Sequence, residues 1–550
     1  MEEMRIGDLN DAIRSAIEKF ADKQAFTNLR NSESFTYSEV GDYIAGFHNL
    51  FKSASIDEGD KIALCAPNSS QWSIVFLSTI AYGAVSVPIL NEFTPSDVEK
   101  LVAHSESKIL FTTEQIFGQI DMTKLPEVRL VFDTENNFRC LFAKENLEKI
   151  VPAGIGDDKN GVGKLQEYLP SFPDSKLALI NYTSGSTGNP KGVMLSRRAI
   201  ISNLQFAIDY MPFLKAEDGI LSMLPLAHMY GMLVEMIFPF AVGAHICFLG
   251  RTPSPQILLA SFAKVKPRLI ITVPLVIEKI IITRVFPQLK KGLLSVLYKC
   301  PGINILIKKN IRNKLLKVFG GNLYEMIIGG SALNPHVEKF LTEIKFPFTV
   351  GYGMTECAPL ISYAPWNNRT IGSCGRIVDR MEAKIESPDP YKIPGELLVK
   401  GHNVMEGYFH NEDASNQIFD KDGWMRTGDI VELDRKGLFH IKGRSKTMIL
   451  GSSGQNIYPE EIEAKLNRMP YVAESLIVGR DNRLVALIVV DSEAAEKNGL
   501  SPEGVDEAMK SNIDELNKEM PVYSKISGYE ILDQPFEKTP KHSIKRFLYS

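Results

Sequence analysis

With 550 residues, 44% of them hydrophobic and 23% charged, the chain is too long for one core and too apolar for disorder, so two or more folded domains are expected. A formal net charge of -4 gives no electrostatic footprint for nucleic acid, and no motif for it occurs. Six cysteines without CxxC spacing or nearby histidine pairs exclude a disulfide framework and a zinc site, and read as reduced thiols of a cytoplasmic protein.

The acidic N-terminus lacks the basic and apolar regions of a signal peptide. Leu9, Ile13, Ile17 and Phe20 instead recur at helical spacing, with Asp8 placed to cap them. The uncharged stretch 62–91 is long enough for a membrane span, but Pro67, Asn68, Gly83 and Pro88 punctuate it into strand, helix and strand. Apolar strands near 61–65, 84–89 and 108–111 alternate with helical stretches such as 96–105. That alternation predicts parallel sheet layers covered by helices.

The apolar run 177–180 leads into a loop of hydroxyls and glycines: Thr183, Ser184, Gly185, Ser186, Thr187, Gly188, then Lys191 and Gly192. Glycines let the backbone approach a polyanion, the hydroxyls and successive N–H groups donate to phosphate oxygens, and Lys191 adds charge. The spacing is not that of a P-loop. Taken alone, the loop fits a Ser/Gly-rich surface turn equally well.

Further motifs follow in order. They are Leu224-Pro225-Leu226-Ala227-His228-Met229-Tyr230-Gly231, Ile328-Gly329-Gly330-Ser331-Ala332-Leu333 and Gly351-Tyr352-Gly353-Met354-Thr355-Glu356. Beyond them come Gly423-Trp424-Met425-Arg426-Thr427-Gly428-Asp429, Gly443-Arg444-Ser445-Lys446 and 454–463. One such hexapeptide could be chance, but this ordered set over most of the chain resembles the adenylate-forming (AMP-binding) superfamily, most of all the long-chain fatty acid–CoA ligases. The resemblance implies a large N-terminal α/β domain of layered sheets with a β-rich subdomain, residues 1–443, and a small mobile α+β domain, 444–550, hinged near Lys446. Short strands between Pro/Gly turns around 393–407 fit that subdomain.

The implied chemistry is attack of a carboxylate on the α-phosphate of ATP, followed by transfer of the acyl group to coenzyme A. Two anions must meet, so charge neutralisation is the main requirement. By resemblance Glu356 holds Mg²⁺ and Thr355 donates to the α-phosphate. The loop Thr183–Gly188 with Lys191 takes the phosphates, and Gly330, Ser331, Ala332, Tyr352, Gly353 and Met354 surround adenine. Asp429 accepts the ribose hydroxyls, with Arg444 nearby. His228, Met229 and Gly231 line the acyl pocket; a lone histidine in an apolar segment is equally a core residue, so no acid–base role is assigned to His228.

The family's last motif, Lys-Thr-x-x-Gly-Lys-Ile-x-Arg, is broken here. Lys538-Thr539 and Ile544-x-Arg546 anchor it, which puts Ser543 in place of the adenylating lysine and His542 in place of glycine. Lys541 or Lys545 can supply the charge, since residues two apart share one side of an extended segment, and Lys541 is the first choice. Two alternatives stay open: slower adenylation without the lysine, and a degenerate nucleotide binder.

The substrate predicted from the resemblance is a medium- or long-chain fatty acid, with an acyl-AMP ligase loading a carrier protein as the alternative. Val273–Ile280 resembles a segment of the long-chain enzymes, and Met229, Met232, Met236 and Phe238 suit either an apolar channel or core packing. Glu235 among them fits a buried or a solvated side. From Lys279 to Lys317 basic residues interleave with apolar ones and no acidic residue occurs. This pattern fits peripheral contact with anionic lipid on the cytoplasmic face, an ordinary solvated face, or a patch for the phosphates of coenzyme A.

Overall fold

The computed structural model describes residues 6–144, 147, 155, 165–183, 190–251, 254–289, 296–298, 300, 302–450, 456–480, 483–521, 524–538 and 544–549. They form two compact units. The first takes its residues from Met1–Thr183, Lys191–Glu382 and Lys400–Gln417, and the second from Ser184–Pro190, Ala383–Val399 and Ile418–Ser550.

In the first unit the expected helix spans Leu9–Lys19, and the Asp8 carboxylate accepts from the Asn10 N–H at its start. The same carboxylate holds the buried Arg197 guanidinium at 2.9 Å, which ties the N-terminal helix to the helix Arg197–Tyr210. The uncharged stretch forms the strand Lys61–Leu64, the helix Ser70–Tyr82 and the strand Val85–Pro88. Ser69 caps that helix, and Gly83 ends it at φ +85°, a conformation glycine adopts without steric cost.

These strands belong to an eight-stranded sheet in the order Gly407–Tyr408, Lys191–Ser196, Leu177–Thr183, Val85–Pro88, Lys61–Leu64, Ile109–Thr112, Leu130–Asp133, Arg139–Ala143. The five strands from Leu177–Thr183 to Leu130–Asp133 run parallel and are buried almost throughout, as a sheet covered on both faces must be. A separate parallel sheet joins Leu269–Thr272, Glu325–Ile328 and Phe348–Val350. Its C-terminal ends lead into the Gly329–Gly330 turn and the Tyr352–Glu356 segment, where ligands of open α/β sheets bind.

The second unit holds most of the four-stranded sheet Met381–Glu386, Gly395–Gly401, Met425–Leu433, Phe439–Arg444. It also contains an α+β body. There Val472–Arg480, Arg483–Val490 and Ile526–Leu532 form one sheet, and Ile462, Leu466, Met509, Ile513 and Leu516 of two helices pack in the same core as its Ile477, Ala486 and Ile488. Residues 383–399 and 418–443, which sequence reasoning placed with the large N-terminal part, cluster here with the C-terminal segment. Among the described residues no helix is long and apolar enough to cross a membrane.

Candidate active site

The strand Leu177–Thr183 returns through Lys191–Ser196, with Thr183 opposite Lys191 and Tyr182 opposite Gly192. A Cβ on Gly192 would stand 2.9 Å from the Ile180 side chain and 3.2 Å from the Tyr182 ring, so only glycine fits that close packing. Ser184, Gly185, Ser186, Thr187 and Gly188 lie outside the described residues.

Beyond the strand Phe348–Val350, Gly351 donates its N–H to Ile328 O, and Tyr352–Gly353 pairs with Leu360–Tyr363. Tyr352 is buried, and a Cβ on Gly353 would fall 2.1 Å from Pro359 O. Met354 donates its N–H to that same carbonyl, and Thr355 opens a short 3₁₀ turn that presents Glu356 half-buried. The turn is pinned from two sides. The buried Asn203 amide donates to Cys357 O and accepts from the Leu360 N–H, while the Met405 N–H donates to Glu356 O at 2.9 Å.

Sequence reasoning missed Tyr408. Its hydroxyl donates to Glu356 Oε1 at 2.9 Å, and the Lys191 ammonium sits 4.9 Å from its ring centroid. Burial, then the Glu356 charge, raises the Tyr408 pKa well beyond the ordinary tyrosine range, so the phenol stays a proton donor. The signal was an aromatic directly after Gly407, at the end of a region read only for its turns.

The segment expected at the acyl pocket is helical rather than a loop. His228, half-buried, precedes the single turn Met229–Gly231, which continues as a π-helical stretch Met232–Ile237. A Cβ on Gly231 would stand 2.8 Å from Pro225 O, which explains the glycine. The Tyr230 hydroxyl donates to Ile327 O at 3.1 Å, and its ring lies against Gly329, so this segment and the Gly330 turn are neighbours. Gly330 takes φ +90°, with Ser331 and Ala332 exposed beside it.

Met229, Met232, Met236 and Phe238 are packed in the interior. Glu235, for which a solvated side was one reading, is fully buried. One carboxylate oxygen accepts from Ser222 Oγ and the N–H groups of Met223 and Leu224 at 3.0–3.1 Å, which fastens the π-helical stretch to the strand Gly219–Ser222. Burial outweighs these bonds and pushes its pKa up to about 8.

In the second unit Asp429 and Arg444 are opposite residues of adjacent antiparallel strands, and Arg444 Nε donates to the buried Asp429 carboxylate at 2.8 Å. Gly428, at φ +72° within the strand Met425–Leu433, accepts the Ser445 N–H at its carbonyl at 2.8 Å. Lys446 is exposed in the next turn, where the Thr447 hydroxyl bonds both Arg444 O and the Glu460 carboxylate. In the last motif Lys538 and Ile544 bridge antiparallel. Arg546 grips the buried Glu463 of the helix Pro459–Leu466. Lys545 pairs with Glu537 at 3.3 Å, which engages one of the two lysines proposed as substitutes. Lys541 and Ser543 lie outside the described residues.

The donor set fits magnesium in one way only. Among the described residues no group of three or more His, Cys, Asp or Glu could hold a metal ion. A single carboxylate such as Glu356, with one oxygen fixed by Tyr408, suits a cation that arrives on phosphates and keeps water in its shell.

The model of the AMP-binding enzyme family matches residues 13–409, and that of the AMP-binding enzyme C-terminal domain matches 446–549. The chain belongs to the AMP-binding enzymes. A family relative, the long-chain-fatty-acid–CoA ligase FadD15 of Mycobacterium bovis, is 27% identical over 469 residues, covering 81% of this chain and 75% of its own. The chloroplastic long-chain-fatty-acid–[acyl-carrier-protein] ligase AEE15 of Arabidopsis thaliana is 27% identical over 620 residues, covering 98% and 84%. ATP-bound MatB from Rhodopseudomonas palustris shares the fold, with a TM-score of 0.77 at 21% identity over 98% of each chain. The fold is thus the mixed α/β one of adenylate-forming enzymes, with a large N-terminal and a small C-terminal domain.

Proposed function

We propose that this AMP-binding enzyme is an acid–CoA ligase that activates a medium- or long-chain fatty acid with ATP. The observation that carries the reading is the assembly of Lys191, Tyr408 and Glu356, which brings a phosphate-seeking cation and a metal-seeking carboxylate to one place. In the first half-reaction a carboxylate oxygen attacks the α-phosphorus and pyrophosphate leaves. Lys191 and the Thr355 hydroxyl offset the charge that gathers on the phosphates. Glu356 holds magnesium, which adds further neutralisation when bound. Asp429 takes the ribose hydroxyls. In the second half-reaction the coenzyme A thiol attacks the acyl carbon, loses its proton, and AMP departs with the phosphate–acyl bond pair. The segment 444–550 turns about Lys446 between the two steps.

Fatty acid as the acid, and coenzyme A as the acceptor, rest on the likeness to FadD15 and on the apolar character of the segment around His228, Met229 and Gly231. Likeness to AEE15 across nearly the whole chain favours a second acceptor, an acyl carrier protein. Incubation with ATP, Mg²⁺ and palmitate, with and without coenzyme A, tests both. AMP and palmitoyl-CoA formed only with coenzyme A support the first reading. Palmitoyl-AMP that is transferred to a carrier protein alone supports the second. ATP binding without turnover on palmitate, shorter or aromatic acids leaves a nucleotide binder and overturns both.

The Lys279–Lys317 region fits contact with anionic lipid, where fatty acids partition. On the helix Ile303–Val318, Ile305 is 66% and Leu306 68% exposed, and the same helix exposes Lys309, Lys314 and Lys317. Lys308 differs, being paired with Glu343 at 2.9 Å. Apolar side chains held in water beside cations give both attractions that an interfacial helix uses.

A further inference from the structure

Tyr408 touches two groups of opposite charge, the Lys191 ammonium and the Glu356 carboxylate. Its two-residue strand is the edge of the eight-stranded sheet, with Tyr408 opposite Val193 and Gly407 opposite Met194. The backbone around it is fastened at three points within the same unit. Glu406 N–H donates to Met194 O at 2.9 Å, Tyr408 N–H to Ser415 Oγ at 2.8 Å, and Phe409 N–H to Gly192 O at 2.8 Å. The buried side chain therefore has one fixed place, between Lys191 on its ring face and Glu356 at its hydroxyl.

We infer that Tyr408 is a positioning residue for phosphate and metal. This rests on the proposed function, because it assigns Lys191 to phosphate and Glu356 to the cation. The phenol does two things at once. Its O–H fixes Oε1, so the flexible glutamate gives up its rotamer freedom before the ligand arrives and its other oxygen stays open to a cation. Its ring holds the ammonium by cation–π attraction, which occupies Lys191 without neutralising it. Were the two charges joined in a direct ion pair, each would have to be pulled from the other before it could serve the nucleotide. An aromatic spacer keeps both charges close and both available.

Tyr408→Phe separates the two roles, since it keeps the ring and removes the hydroxyl. The readout is binding of ATP to the full-length protein by calorimetry, with magnesium and with EDTA, alongside AMP without metal. In the unmodified protein magnesium should tighten ATP. In Tyr408→Phe that gain should shrink about tenfold, the low end for one hydrogen bond to a charged group. Metal-free AMP affinity and the melting temperature should hold. In a Glu356→Gln background Tyr408→Phe should change the magnesium gain by less than about twofold, because the phenol acts through that carboxylate. Tyr408→Leu, which also removes the ring, should weaken metal-free ATP several-fold more than Tyr408→Phe does.

A magnesium gain in Tyr408→Phe equal to that of the unmodified protein would overturn the inference. So would an equal loss in the presence and absence of Glu356. An unmodified protein that binds neither ATP nor AMP would instead sink the functional reading beneath it, a distinct result.

Discussion

The guanidinium of Arg444 closes over the carboxylate of Asp429, Nε to Oδ1 at 2.8 Å, across a register in which the two residues are direct partners. Asp429 is nearly sealed while Arg444 remains more than half exposed, so the pair presents a buried acceptor under a solvated donor. Such a carboxylate suits two adjacent ribose hydroxyls, because it can accept both without being displaced. Asp429→Asn keeps the shape and removes the charge. AMP affinity is expected to fall about tenfold to a hundredfold, the worth of hydrogen bonds to a charged group. Folding stability should change little, since the abandoned Arg444 is solvated. Unaltered AMP affinity by calorimetry would remove Asp429 from the nucleotide site.

Glu235 gives a pH-dependent stability of definite sign. Its folded pKa, about 8, lies above the ordinary glutamate value near 4.3, so the folded chain holds a proton that the unfolded chain has lost between those limits. Stability from this group is therefore full below about pH 4.3 and declines as pH rises toward 8. Glu325, raised to about 7 by burial, has the same sign, but it is present in both proteins when Glu235→Gln is compared with the parent. The melting temperature of Glu235→Gln minus that of the parent should increase steadily from pH 5.5 to pH 8. A difference independent of pH would show that Glu235 is ionised in the fold.

Much of this was legible in the sequence because local chemistry dictated it. Ser69 and Gly83 bracket a helix by capping and by positive φ, so the apolar stretch around them divided correctly. The resemblance put Arg444 near Asp429, and the two face each other across adjacent strands. What stayed hidden depends on contacts distant in sequence. Tyr408 meets Glu356 and Lys191 only because a two-residue strand docks on the edge of a sheet. Glu235 was ambiguous because two of its three partners are backbone N–H groups, those of Met223 and Leu224, which no side-chain pattern records. The helical form of the acyl-pocket segment was hidden as well, since the resemblance presents it as a loop.

The broken C-terminal motif can be decided by two substitutions. Lys545 is tied to Glu537 through both its side chain and its backbone N–H, so it already has work in holding the segment. Lys545→Ala should leave the rate of palmitoyl-AMP formation within about twofold. Lys541→Ala should lower it on the order of 10²–10³, the usual cost of one donor to a transition state. Pyrophosphate release in a single turnover measures this step apart from thioester formation. Equal rates in both variants and the parent would mean that adenylation requires neither Lys541 nor Lys545.

The exposed helix Ile303–Val318 makes the last prediction. Leu306, Lys309, Asn310 and Lys317 recur at helical spacing, so apolar and basic groups share one outward face. Each lysine near an anionic surface contributes about 1 kcal/mol, so Lys309→Glu, Lys314→Glu and Lys317→Glu together should weaken binding at least a hundredfold. Flotation with vesicles of phosphatidylglycerol and phosphatidylcholine should carry the parent upward, and vesicles of phosphatidylcholine alone should not. The attraction should fade with salt as the Debye length shortens. Ile305→Ser with Leu306→Ser should also detach the protein, but with its salt dependence retained, because that change removes only the apolar part. AMP affinity should be the same in all of these variants. If the parent fails to float with either vesicle, the face is simply solvated; if the triple variant instead raises the Michaelis constant for coenzyme A, the basic residues serve its phosphates.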